Sequence, residues 1–240
     1  MFNLNAAQIK DICYLAMISD REIRSDLSIG FIKDEDDYTS NFTGALRRNI
    51  NCYSKTGITA NSYVLKKKIE ETVGCDATII IQSNGYSKVV LFEAKWPRLS
   101  TSNYRWDHKQ ASTGLSHFSN QLDRQVNFYS QFAIFEMIYC EYPFNQQPNF
   151  MLPDVSSCIW HDDAMQFKNG RQNPDSIWSQ TDMISMLKSG NVDIAKILAD
   201  VCHCNKGQPI PIKDAQDAIQ EFRIAGEVLI IDFAEYNNET

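Results

Sequence analysis

The stretch that most constrains this chain is a pair of apolar runs joined by four turn residues. Ala77-Thr78-Ile79-Ile80-Ile81 is β-branched and reads as a strand. Ser83-Asn84-Gly85-Tyr86 carries the Asn-Gly signature of a tight hairpin, and Lys88 to Ala94 reads as the returning strand. Two such runs with so short a connection pair antiparallel, so the start of the first lies beside the end of the second. Asp76 opens the first run, after Gly74 and Cys75, and Glu93 and Lys95 close the second. Side chains alternate along a strand, so Glu93 and Lys95 share one face while Ala94 takes the other. The pattern predicts two carboxylates and one ammonium gathered at one end of a sheet.

Two adjacent carboxylates repel each other unless a cation neutralises them. Hard oxygen donors suit Mg²⁺ or Mn²⁺, which keep several waters and share their shell with phosphate. Such an ion lowers the pKa of bound water, and a lysine beside it can orient that water or offset developing charge. Metal-dependent phosphodiester hydrolysis is the chemistry these residue types suit. The bland alternatives are a surface ion pair for Glu93 and Lys95, and a turn cap for Asp76.

Asp76 followed by Glu93-Ala94-Lys95 resembles the D…(D/E)xK signature of the PD-(D/E)xK nuclease superfamily. The resemblance covers about residues 30–140, with Cys75 standing where the superfamily's name has proline. It implies a restriction-endonuclease-like core in the mixed α/β class, a central mixed sheet flanked by helices. It also implies an Mg²⁺- or Mn²⁺-dependent endodeoxyribonuclease in which Asp76, Glu93, Lys95 and Glu35 are catalytic. Asp76, Glu93, Ala94 and Glu35 would surround the metal. Glu35, in the segment Glu35-Asp36-Asp37-Tyr38-Thr39, resembles a glutamate that some branches add from a preceding helix. Glu71 is its rival, and a solvated acid in a charged run is the plainer reading. Several branches carry a glutamine in the helix after the lysine strand, where Gln121 and Gln125 fall.

Composition bounds the rest. A chain of 240 residues with 43% apolar content can bury one full core, so 1–240 reads as a single nuclease-like domain with 150–240 unassigned. Seven cysteines, an odd number without a CxxC pair, suit free thiols in a reducing compartment. Lys10 and Asp11 interrupt any signal-peptide core, and no run is long and apolar enough to span a membrane. A cytoplasmic protein without membrane partners is the expectation.

The net charge of −7 argues against a general polyanion binder. Residues 42–69 nonetheless hold Arg47, Arg48, Lys55 and Lys66 to Lys68 without an acid, a strip that could follow a phosphate backbone or be a solvated face. After the motif, Arg98, Tyr104, Arg105 and Lys109 interleave basic and aromatic groups with Trp106, a combination suited to nucleic acid; Gln121 and Gln125 join them as candidate contacts. The resemblance implies DNA as partner, with RNA open, a homodimer where both strands are cut, and defence against foreign DNA as the role. Toxin and repair nucleases are not separable from defence by sequence, and a catalytically silent nuclease-fold module is the alternative. Cys202-His203-Cys204 lacks further ligands at useful spacing, while His108 and His161-Asp162-Asp163 read as structural or as neighbours of phosphate or metal.

Elsewhere the periodicity predicts a helix over 5–18 and another from Phe42, capped by Thr39-Ser40-Asn41. Residues 63–72 fit helix or strand. A helix follows from about Ser119 through Val126 and Tyr129, with strands at 133–142, 157–160 and 228–233, and helices over 181–202 and 213–224.

Overall fold

The computed structural model describes residues 2–64, 74–100, 106–211 and 227–233. The expected hairpin is present as β2 (Ala77–Ser83) and β3 (Tyr86–Lys95), antiparallel with Ala77 opposite Phe92. Asn84 and Gly85 both have positive φ, 52° and 73°, as a two-residue hairpin turn of matching twist requires.

This hairpin sits at the centre of a six-stranded mixed sheet. With β1 (Ile58–Val64), β4 (Ala133–Ile138), β5 (Ser157–Trp160) and β6 (Glu227–Phe233), the order is β1-β6-β2-β3-β4-β5. β6 runs parallel to β2, β4 runs parallel to β3, and the remaining pairs are antiparallel. β2 and β3 are buried on both faces, which is why they read as nearly continuous apolar runs.

Alternation divides the core. Ile79, Ile81, Val90, Phe92, Phe135 and Met137 face the helices α1 (Ala6–Ser28) and α2 (Glu35–Tyr53). On the opposite face Ile80, Val89, Leu91 and Ile134 form a second cluster. A third cluster joins Ile138 and Ile159 to α3 (His117–Gln125), α4 (His161–Gly170) and α5 (Gln180–Gly190). The last described helix, α6 (Ile194–Cys202), packs on α1. Lys88, wholly buried in β3, donates to the carbonyls of Val201 and Lys206 and so satisfies the C-terminal end of α6.

Several element boundaries differ from the sequence expectation. α1 extends well beyond residue 18, held at its start by a capping box between Asn5 and Gln8. α2 begins at Glu35, capped by Asp34 with three acids in its first turn, so Thr39-Ser40-Asn41 lie inside the helix. α3 stops at Gln125; Val126 and Tyr129 are exposed in the turn that follows, and Ala133 already belongs to β4. β4 ends at Ile138 rather than continuing to Tyr142. The expected helix over 181–202 is two, because Val192 bridges Cys158 of β5 and Asp193 caps a new start. Residues 58–64 settle the start of the ambiguous stretch as strand, while 65–73 and the expected helix at 213–224 lie outside the described residues. Among the described residues no helix is long and apolar enough to cross a membrane.

Candidate active site

The end of the hairpin brings the predicted residues together. The Asp76 backbone N–H donates to the Phe92 carbonyl at 2.9 Å, which extends the ladder by one pair and sets Asp76 beside Glu93. Asp76 Oδ2 accepts the Ala94 backbone N–H at 2.7 Å. Ala94 thus meets Asp76 through its main chain, while its methyl group is buried on the α1/α2 face. Glu93 and Lys95 share the other face, with Lys95 Nζ 2.5 Å from Glu93 Oε1. Glu35, the first residue of α2, reaches the same point: Oε1 accepts the Trp96 N–H at 2.9 Å and Oε2 lies 3.8 Å from Lys95 Nζ. Its rival Glu71 lies outside the described residues.

Electrostatics follow from burial. Glu93 is 2% exposed, and desolvation lifts its pKa to about 7, against the pull of Lys95 and with a further push from Glu136 and Glu35. Asp76 is raised well above the usual carboxylate range by the same desolvation and by Glu93. Burial disfavours the Lys95 cation, but Glu93, Glu35 and Asp76 outweigh it and hold the ammonium charged. At neutral pH Lys95 is therefore a donor and a fixed positive charge, not a base.

Gln121 and Gln125 project from α3 onto this face. The Gln121 amide donates to Glu93 Oε1. Gln125 is wholly buried, donating to the Gly74 carbonyl at 2.8 Å and meeting His161 Nδ1 at 2.8 Å through Oε1. Its amide braces the turn before Asp76 and is closed to solvent. His161 is likewise buried against Gln125, and desolvation lowers its pKa to about 4.

An open pocket of about 430 Å³ gives access to the cluster, lined by Glu35, Lys95, Arg98, Trp106, His108 and His117 among others. Arg98 lies over the Trp96 ring, 4.5 Å from its centroid, with a strained φ of 48°. Lys109 is exposed on the loop before α3, whereas Tyr104 and Arg105 lie outside the described residues. His108 and His117 stack with ring centroids 4.5 Å apart. Burial, and then the charges of Lys95 and His108, push His117 down to about 4, so it faces the pocket as a neutral imidazole. Asp107 organises this wall, accepting from Ser116 Oγ and from the backbone N–H groups of His108, Phe118 and Trp178.

Two participants escaped the sequence reading. His117 carried no motif. Glu136, on β4, is fully buried opposite Glu93, and a lone acid inside the apolar run Ala133 to Cys140 was the available signal. Conversely, in Cys202-His203-Cys204 the first residue ends α6 and is buried, while Cys204 beyond the cap is exposed. Among the described residues no group of three or more His, Cys, Asp or Glu side chains closes around one point as a bound metal ion requires. At this site the carboxylates are arranged around the Lys95 ammonium instead, in contact with Glu93 and near Glu35. Their oxygen chemistry and excess negative charge suit a hard divalent cation. Compared with known proteins, the chain matches no family model, no curated protein and no solved structure.

Proposed function

We propose that this protein is a metal-dependent nuclease that hydrolyses phosphodiester bonds in DNA. The observation that carries the reading is the convergence of Asp76, Glu93 and Lys95 at the end of one antiparallel hairpin, with Glu35 arriving from α2 and Gln121 from α3. The order α2–β1–β2–β3–α3–β4, with β3 antiparallel to β2 and parallel to β4, agrees with a restriction-endonuclease-like core; β6, inserted between β1 and β2, is an addition to it.

In this mechanism Asp76, Glu93, Glu35 and the Ala94 main chain are the groups that would hold Mg²⁺ or Mn²⁺. Held there, the cation would supply an activated water and offset charge on the phosphate. Lys95, kept charged by its carboxylate neighbours, hydrogen-bonds the attacking water or a phosphate oxygen and stabilises charge as it develops. Gln121 fixes the Glu93 carboxylate, and Gln125 with His161 fixes the turn that aims Asp76. Arg98 and the stacked His108 and His117 rings stand at the pocket wall, where a nucleic-acid strand would pass. Defence against foreign DNA is the biological role this reading favours.

The test is incubation of the purified protein with duplex DNA, single-stranded DNA and RNA in Mg²⁺ or Mn²⁺. Cleavage of DNA, abolished in Asp76→Asn and Lys95→Met variants that keep wild-type circular dichroism, is the expected result. Wild type and variants that behave alike on every substrate would sink the reading. One observation favours a second reading: Lys95 and Gln121 already occupy Glu93 Oε1, as in a nuclease fold turned binding module. That reading expects a shift in a gel at low salt and no cleavage with either metal.

A further inference from the structure

Glu136 lies directly across from Glu93 in the parallel β3–β4 register, so both side chains leave the sheet on the same face. It is fully buried, and neither of its carboxylate oxygens has a partner of good hydrogen-bond geometry, although the Gln125 side chain lies close enough to act on it. The charged groups that act on it are those of the site, Lys95 and Asp76, and Glu93 in turn feels its charge. A second acceptor at the site is orphaned: Gln121 Oε1 is buried and unpartnered, although the amide nitrogen of the same side chain is bound to Glu93.

The protein treats its other deeply buried acids differently. Asp20 accepts from the Tyr38 hydroxyl and from the backbone N–H and hydroxyl of Ser156. Asp107 accepts from Ser116 and from three backbone N–H groups. Both are satisfied in place, as a structural carboxylate must be. Glu136 has no comparable set of donors: the Gln125 side chain and the charge of Lys95 act on it, and Lys95 is already engaged by Glu93 and Glu35. What remains on this face is a set of hard oxygen acceptors with more negative charge than the Lys95 ammonium offsets: the Glu136 and Glu93 carboxylates and the Gln121 amide oxygen. The set contains two acidic side chains and one amide.

We propose that Glu136, with Glu93 and the Gln121 amide oxygen, holds a divalent metal ion on the inner side of the site. Oxygen donors of this kind select Mg²⁺ or Mn²⁺ over softer ions. The assignment rests on the metal-dependent reading above and extends it to residues outside the Asp76/Glu93/Lys95 motif. It makes β4 and α3 part of the metal centre.

Mn²⁺ alone, without nucleic acid, is the probe. Binding is measured by calorimetric titration and by loss of the free-ion Mn²⁺ resonance, for wild type, Glu136→Gln and Gln121→Leu. Glutamine keeps the shape of Glu136 and removes its charge, and metal-free thermal unfolding checks that each variant folds. Should Glu136→Gln fail to fold, Gln121→Leu carries the test. Each variant is expected to bind Mn²⁺ about tenfold more weakly or worse. Mn²⁺ binding by the folded variants equal to wild type overturns the proposal, as does a wild-type protein that binds no Mn²⁺. The two readings separate cleanly. Mn²⁺ binding that depends on Glu136, without cleavage of any nucleic acid, supports the inner site and removes the nuclease. Cleavage by a protein whose Mn²⁺ affinity ignores Glu136 does the reverse.

Discussion

Replacing Glu136 by glutamine should stabilise the metal-free protein at pH 8 and leave it unchanged or weaker at pH 5. Burial, opposed by Lys95 and reinforced by Asp76, pushes the Glu136 carboxyl from 4.5 to about 8. The unfolded chain ionises this group near its ordinary value, so the native state alone carries the burden of a retained proton or a buried charge. Because the folded value is the higher one, the associated stability is complete below pH 4.5 and is lost as pH rises toward about 8. At about 1.4 kcal/mol per pH unit the loss reaches roughly 4 kcal/mol at pH 8 and stays below about 1 kcal/mol at pH 5. Glutamine escapes this loss, but with the Gln125 side chain as its polar neighbour part of the new amide goes unpaired, which costs about 1–3 kcal/mol. The net expectation is a gain of about 2 kcal/mol at pH 8, or roughly 4–8 °C in Tm for a chain of this size, and a loss of about 1 kcal/mol at pH 5. Thermal and urea unfolding followed by circular dichroism, in chelator and at half-unit steps of pH, measures the difference. Groups that do not touch Glu136 cancel between the two proteins. A stability difference that is independent of pH, or a loss at both ends of the range, would refute the reasoning.

Lys95→Met leaves the Glu93 carboxylate buried without its partner and should cost about 3–5 kcal/mol at pH 8; the double variant with Glu93→Gln should recover most of it, as urea midpoints would show. Asp107→Asn retains an acceptor on one oxygen only, where the carboxylate serves four donors, and should lower stability by about 2–4 kcal/mol; a change in Tm under one degree would contradict this. His161 is held neutral by burial, its pKa lowered from 6.5 to about 4. Its contribution is therefore present above pH 6.5 and lost as pH falls toward 4, by up to about 3 kcal/mol, and His161→Asn should flatten the acid side of the stability profile.

The parts of this structure that were legible in the sequence are those whose determinants are local. Asn84-Gly85 fixes the turn through two positive φ values, and the period of two then decides which face each residue of β3 takes. From those facts alone Glu93 and Lys95 share a face and Asp76 stands beside them. The start of α2 was misplaced because the sequence between Lys33 and Asn41 offers two capping signals. Asp34 wins because Glu35, Asp36 and Asp37 suit the positive end of the helix, and because Tyr38 and Thr39 are buried inside it. The single helix expected over 181–202 failed for a tertiary reason, since the bridge between Val192 and Cys158 exists only once β5 is in place.

Glu136 fell between these cases. An acid within Ala133 to Cys140 is visible in the sequence, yet its partner Glu93 is distant along the chain, and the two meet only because β4 runs parallel to β3 in one particular register. A shift of one residue would turn Glu136 toward Phe42 and Phe92 on the helix face, where a buried carboxylate would have neither cation nor donor. The apolar residues on either side of it forbid that shift, because Phe135 and Met137 belong to the α1/α2 core. The core therefore sets the register, and the register delivers a fourth carboxylate, beside Asp76, Glu93 and Glu35, to the site. A motif search limited to Asp76, Glu93 and Lys95 stops one strand short of it.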